Sequence, residues 1–349
     1  MKAAVLKDVN VLEVDDVPEP EMGPDQIKVK IAYCGICGTD PEMIEGRFGM
    51  GTSPAGAIGK AASQRRMMAF PRIMGHEASG TIAEIGKEIR GDFKVGQKVA
   101  MNFISACGAC YYCNNKMQHK CLMMRPNSGS MAEYAVYYEN GVFPLPEDMP
   151  LDVGAFLEPL SVALHSLDIA QMKVGDAVII TGGGSIGLLI LQLAIRSGAS
   201  KILVSEPVAE KRKIALELGA DVVVDPINED LLEASNKLTD YRGFDVCFEV
   251  SGKPDVARQL ILLAEGCGTI VWVAVYPSDS EVGVPPFYMY RKELTIRSVS
   301  VSPYSFPRSV HMLPKLNLKP LITVYPLDKV VEAFAAHKAG KGVKIMLQP

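Results

Sequence analysis

Two stretches of this chain are rich in soft metal ligands. Residues 107–121 read CGACYYCNNKMQHKC, with Cys107, Cys110, Cys113 and Cys121 spaced x2, x2, x7. Four thiolates that close together can surround one tetrahedral Zn²⁺ with no help from elsewhere. A closed set leaves no open coordination position, so the expected role is structural. Iron–sulfur motifs generally use other spacings. His119, inside the cluster, is a weaker alternative ligand. The second stretch, YCGICGTD over residues 33–40, poses a choice. Cys34 and Cys37 are half of a zinc knuckle, a redox dithiol, or one ligand beside a bystander. The 107–121 cluster completes its own site, so this pair is not needed there.

Further ligand types lie nearby in sequence. GHEASGTIAEIG (75–86) offers His76, whose neutral imidazole binds zinc well, and beside it Glu77, a ligand or an orienting group. One cysteine, one histidine and one carboxylate from separate segments is what a catalytic zinc needs, with a position left open. FLEPLSVALH (156–165) adds Glu158 just before a proline. Zn²⁺ with a thiolate and Glu77 is formally neutral, and Glu158 would make it anionic. A metal acting as a Lewis acid works better with fewer anions. Glu77 and Glu158 are therefore not expected to bind tightly together. His165 falls in a helical apolar pattern and reads as structural.

A different chemistry is written in AVIITGGGSIG (177–187). An apolar run enters G-x-G-x-x-G and an apolar helix follows, with Ser185 and Ile186 at its start. Gly182 permits the tight turn, Gly184 lets the backbone approach a pyrophosphate, and Gly187 allows close helix–strand packing. The helix N-terminus then faces the phosphates. Glu206 ends the next strand, about 20 residues on, where an acidic residue accepts hydrogen bonds from the adenosine ribose. A carboxylate also repels a 2′-phosphate, so NAD is expected over NADP. Lys211 and Arg212 follow and could soften this preference, although a solvated helix face accounts for them better.

These residues need two kinds of scaffold. Up to about residue 155 the chain is rich in Gly, Pro, Val and Ile. IKVKIAY (27–33), ASGTIAEIG (78–86) and KVAMNF (98–103) read as strands of a β-rich unit. From there strands alternate with helices of ten or more residues, through DVCFEVSG (245–252), a helix over 254–264 and GTIVWVAV (268–275). That alternation indicates a parallel sheet with helices on both faces. From about residue 294 the texture is mixed again, with an amphipathic helix (328–339) and a closing strand, both expected to pack on the N-terminal unit. GMGTSPAGAIGKAASQRRMMAF (49–70) reads as a long loop.

Composition excludes several classes. The 349 residues carry a net charge of −4 with no block of five like charges, which argues against a nucleic-acid footprint. No apolar run approaches the ~20 residues of a membrane span. The alternating N-terminus lacks a signal peptide's features, so a cytoplasmic location is expected and clustered cysteines read as ligands rather than disulfides.

GICGTD (35–40), GHEASG (75–80), the cysteine cluster, EPLSVALH (158–165) and GGGSIG (182–187), in that order, resemble the medium-chain zinc-dependent alcohol dehydrogenases over essentially the whole chain. EPLS makes the sorbitol, butanediol and threonine dehydrogenase branch the nearest match. The resemblance implies an α/β protein. A GroES-like β-rich catalytic domain (1–155 and 294–349) joins a Rossmann doubly wound parallel sheet (156–293). It implies Cys37 as the catalytic ligand, with His76 and Glu77, and Cys34 as a buried bystander. Thr39 becomes the first proton acceptor and Asp40 an orienting group. The implied reaction is reversible hydride transfer between a secondary alcohol and NAD, in a homodimer or homotetramer, with GTIVWVAV as an edge-strand contact.

Three departures bear on substrate. Glu42 stands where many relatives carry a histidine active in proton release, so it is expected to be a terminal base or to hold a substrate hydroxyl. CGTDPEMIEG also resembles archaeal-type glucose dehydrogenases, which keeps an aldose as the alternative. Val301 and Ser302 occupy places where polyol dehydrogenases present Arg and Tyr. The 49–70 loop, with Arg65 and Arg66, is expected to border the site. A non-enzymatic zinc scaffold and a zinc-free quinone or enone reductase are the readings from other classes.

Overall fold

The strand Gln26–Gly35 organises the first unit. It pairs antiparallel with Glu77–Ile85 along one edge. Along the other edge it takes Tyr134–Tyr138 at its start and Lys344–Gln348 at its end. The computed structural model that shows this describes residues 1–47, 69–125, 127–277 and 279–349. The loop expected over 49–70, with Arg65 and Arg66, therefore lies almost wholly outside the described residues.

Contacts divide the chain into Met1–Pro159 with Pro303–Pro349, and Leu160–Ser302. The first unit holds a seven-stranded sheet. From Gln26–Gly35 it runs outward through Glu77–Ile85 and Lys98–Met101 to Val142–Pro144, and through Lys344–Gln348 to Ile322–Pro326. A smaller three-stranded sheet packs Val11–Asp16, Lys2–Asp8 and Arg72–Ile73. The expected late helix is present as Val330–Lys338, with Val330, Ala333 and Phe334 facing the core. The closing strand Lys344–Gln348 is buried through its first four residues.

In the second unit six strands run parallel. The order is Val222–Val224, Lys201–Ser205, Ala177–Thr181, Phe244–Glu249, Ala264–Trp272 and Thr295–Ser298. The order reverses beside Ala177–Thr181, and the crevice beyond the strand ends at such a reversal is where doubly wound sheets bind ligands. Ala177–Thr181 is buried at all five positions, as a strand covered on both faces must be. Helices follow the strands, including Ser185–Arg196, Ala209–Glu217 and Leu231–Thr239. The last is capped by Asp230, whose carboxylate accepts the N–H groups of Leu232 and Glu233. Two assignments differ from expectation. Thr295–Ser298 completes the parallel sheet instead of opening the tail. The GTIVWVAV strand is therefore interior, and Thr295–Ser298 forms the edge.

Candidate active site

Cys37 lies just past the end of Gln26–Gly35, where the chain turns into the short helix Thr39–Ile44. The buried Asp40 fixes that turn. Its Oδ2 accepts the Cys37 N–H at 2.8 Å, and its Oδ1 faces His76 Nδ1 at 3.6 Å. His76 precedes the strand Glu77–Ile85 and packs edge-on against Phe103, with ring centroids 5.1 Å apart. Glu77 begins that strand and is 2% exposed. One ligand atom each from Cys37, His76 and Glu77 lies within 4.8 Å of the others. Three separate segments thus meet at one point.

The donor set and its electrostatics fit a zinc ion. Thiolate, imidazole and carboxylate are zinc's usual protein ligands. Burial pulls the His76 pKa down, but the Cys37 thiolate and Asp40 more than offset it, and the result lies well above the ordinary value. Burial likewise opposes the charge on Lys344, and Glu77 and Cys37 overcome it. The pocket therefore gathers negative charge away from water and draws cations. Asp40 Oδ1 is buried with no hydrogen-bond partner, so it stays free to orient His76.

Two glycines make the convergence possible. A Cβ on Gly35 would collide with Glu77 Oε2, its cross-strand neighbour. Gly75 holds φ at +91°, and a Cβ there would strike Met131 and Cys34 Sγ. Cys34 itself is wholly buried, and burial pushes its thiol well above the ordinary range. It is a core residue, in line with the bystander reading.

Glu158 stands in the first turn of Leu157–Ala170, 5% exposed. Burial pushes its carboxyl up to about 7, against the pull of His76 and with the repulsion of Glu77. It does not join the converging set. Thr39 opens its helix beside Cys37, half-buried. Glu42 departs from expectation. Both its oxygens accept from Arg47, at 2.9 Å each, and this pairing holds its pKa below the usual carboxylate range. A carboxylate so held is a weak proton acceptor. Ser302 is also buried, its hydroxyl bonded to Ser161 at 2.7 Å.

The four-cysteine segment forms a second converging group. The sulfurs of Cys107, Cys110, Cys113 and Cys121 lie within 4.8 Å of one another, all as free thiols, and His119 is not in the set. Main-chain N–H groups of Ala109 and Cys110 point at Cys107 Sγ and lower its pKa. Main-chain N–H bonds likewise bring Cys110 to about 6. Such bonds favour the thiolate at these two sulfurs, while burial pushes the Cys113 and Cys121 thiols up.

In the second unit the glycine turn has the stereochemistry its spacing implies. Gly182 holds φ at +112°, and a Cβ there would press on Val250 and Ser251. A Cβ on Gly184 would meet nothing within 4 Å, so this backbone is open to a ligand. A Cβ on Gly187 would collide with the Gly182 carbonyl. Ser185 and Ile186 start the helix Ser185–Arg196, and Gly184 supplies no side-chain cap. Glu206 is buried behind the turn. It accepts the Gly183 N–H at 2.6 Å and the Val208 N–H at 2.9 Å. Arg212 is only partly exposed and is held by the protein. It donates to the carbonyls of Glu206 and Pro207, at 2.7 Å each, and pairs with Asp225 at 3.1 Å.

Two groups escaped the sequence reading. Glu249, at the end of Phe244–Glu249, accepts the N–H groups of Ser251 and Gly252 and the Tyr276 hydroxyl, and so shapes the loop opposite Gly182. Lys344 donates to Glu77 Oε2 at 2.6 Å and to the Ile36 carbonyl at 3.1 Å. Its one signal was its place at the start of the closing strand.

A β-rich unit with a thiolate–imidazole–carboxylate centre, joined in one chain to a doubly wound nucleotide fold, defines a zinc-dependent dehydrogenase. Residues 23–147 match the alcohol dehydrogenase GroES-like domain, and residues 185–315 match the zinc-binding dehydrogenase family. D-arabitol-phosphate dehydrogenase of Enterococcus avium is 30% identical over 95% of this chain and 92% of its own. L-threonine 3-dehydrogenase of Pyrococcus abyssi (strain GE5 / Orsay) is 32% identical over 99% and 97%. The solved structure of 2R,3R-butanediol dehydrogenase from Bacillus subtilis is similar at a TM-score of 0.85 and 29% identity, over 100% of this chain and 99% of that one. The chain belongs to the medium-chain zinc-dependent alcohol dehydrogenase family. It is an oxidoreductase of hydroxyl substrates that uses zinc and a nicotinamide dinucleotide. Among the described residues no helix is long and apolar enough to cross a membrane.

Proposed function

We propose that the chain oxidises a secondary alcohol of the polyol or sugar class, reversibly and with NAD⁺, at the Cys37–His76–Glu77 centre. The observation that carries this is the convergence of those three ligand atoms within 4.8 Å. Bound there, zinc supplies the Lewis acidity that lowers a hydroxyl's pKa, and the dinucleotide supplies the hydride acceptor. Asp40 fixes the Cys37 main chain and orients His76. Thr39, beside Cys37, accepts the substrate proton. Glu77 would contribute an oxygen to the metal, while Glu158 stands outside the converging ligand set. The four-cysteine segment would hold a structural zinc.

Gly182, Gly184 and Gly187, with the N–H groups of Ser185 and Ile186, receive the pyrophosphate. Glu206 places a fixed carboxylate at the end of the second strand, where it accepts ribose hydroxyls and repels a 2′-phosphate. Arg212 is committed to Asp225, which supports NAD over NADP. The thiolate sites suit a reducing compartment such as the cytoplasm. A homodimer or homotetramer is our expectation for the assembly, and sedimentation tests it. The function is tested by NADH formation across polyols, aldoses, inositols, diols and amino alcohols. Chelation should abolish turnover, and activity with none of these alcohols would overturn the reading.

A further inference from the structure

We propose that Lys344 is a positioning residue of the metal centre. By holding Oε2 of Glu77, it confines that carboxylate to one oxygen toward the metal and offsets its charge. The inference rests on the assignment of Cys37, His76 and Glu77 to zinc.

Lys344 comes from the far end of the chain. Its strand is pinned to Gln26–Gly35 by the pairs Met346–Gly35 and Leu347–Cys34, and Ile36 donates its N–H to the Ile345 carbonyl at 2.8 Å. That register sets Lys344 beside the segment leading to Cys37. Its ammonium spans two of the ligand-bearing segments, with Glu77 Oε2 at 2.6 Å and the Ile36 carbonyl at 3.1 Å. The side chains of Lys344 and Glu77 are 3% and 2% exposed. The missing side chain of Gly35 is what admits the pair, since a Cβ there would strike Glu77 Oε2 and sit 3.2 Å from Lys344 Cδ.

A buried ion pair is weak evidence for stability, because desolvating both charges cancels much of their attraction. At this place it has a different consequence. A carboxylate with both oxygens free can chelate a metal through two atoms, and Glu77 has one already taken. Zinc with the Cys37 thiolate and the Glu77 carboxylate is formally neutral. The Lys344 ammonium returns one positive charge to the centre, and with it the capacity to acidify a hydroxyl.

The test follows zinc release from the intact protein to a chelator, together with the visible spectrum of the cobalt-substituted enzyme. Cys37→Ser first identifies which zinc is catalytic; if that variant loses neither zinc, the metal assignment itself fails and the proposal with it. Lys344→Met should slow release of the catalytic zinc by about tenfold, the scale on which groups behind ligands tune metal affinity, and should shift the cobalt spectrum. Lys344→Arg should restore both. In a Glu77→Gln background Lys344→Met should have a clearly smaller effect on both, because only the lost charge remains to act. Equal effects in the two backgrounds would reduce Lys344 to a bare charge. Faster release of both zincs would reduce it to a structural strut. Either result overturns the proposal. Should Lys344→Met not fold, Lys344→Gln replaces it in the same two-background comparison.

Discussion

Asp40 accepts the main-chain N–H of Cys37 through one oxygen and turns the other toward His76 Nδ1, 3.6 Å away. One buried carboxylate thus governs two of the three converging ligands. Asp40→Asn keeps an acceptor for Cys37 but loses the negative charge facing His76. Catalytic-zinc affinity or turnover should fall about 10- to 100-fold, with the fold retained. Zinc content and NADH formation measure the first, and circular dichroism the second.

The glycines of the nucleotide turn separate binding from packing. Gly184→Ala meets no protein atom. Its melting temperature should stay near wild type while NADH binding weakens by about tenfold, or ~1.4 kcal/mol. Gly187→Ala forces a methyl onto the Gly182 carbonyl. It should cost about 1–3 kcal/mol of stability as well as affinity. Fluorescence titration with NADH beside thermal unfolding distinguishes the two; equal destabilisation would contradict the roles assigned here.

Glu42 gives a pH prediction. Arg47 holds its pKa below the ordinary 4.5. The group is ionised throughout the neutral range, so Glu42→Gln should leave the pH–rate profile unchanged there. The sign for stability follows from the depressed folded pKa. The contribution is present above the unfolded value and lost as pH falls through the folded one. Because the pair is solvent-screened, its contribution is small. Wild type and variant should differ slightly near neutrality and converge in acid. A lost limb in the rate profile would restore Glu42 as a base.

What spacing alone could reveal was local, and the Cys37–His76–Glu77 set was implied by resemblance. The four cysteines of 107–121 and the glycines of 182–187 act over one or two turns of chain, so their spacing carries their geometry. Glu206 and Arg212 were found by position, yet the Arg212–Asp225 pair was not, because a charged helix face looks the same whether solvated or paired. Lys344 was missed for a plainer reason. Its partner Glu77 is 267 residues away, and only the register of two non-consecutive strands brings them together. Thr295–Ser298 was assigned to the tail because an edge strand with exposed polar positions lacks the apolar run of its buried neighbours.

Zinc stoichiometry of the purified chain, read beside alcohol-dependent NADH formation, tests the central claim most directly. Wild type should carry two zincs per chain, and Cys37→Ser should carry one and lose activity. A Cys37→Ser protein that keeps both zincs and turns over alcohol would contradict the account.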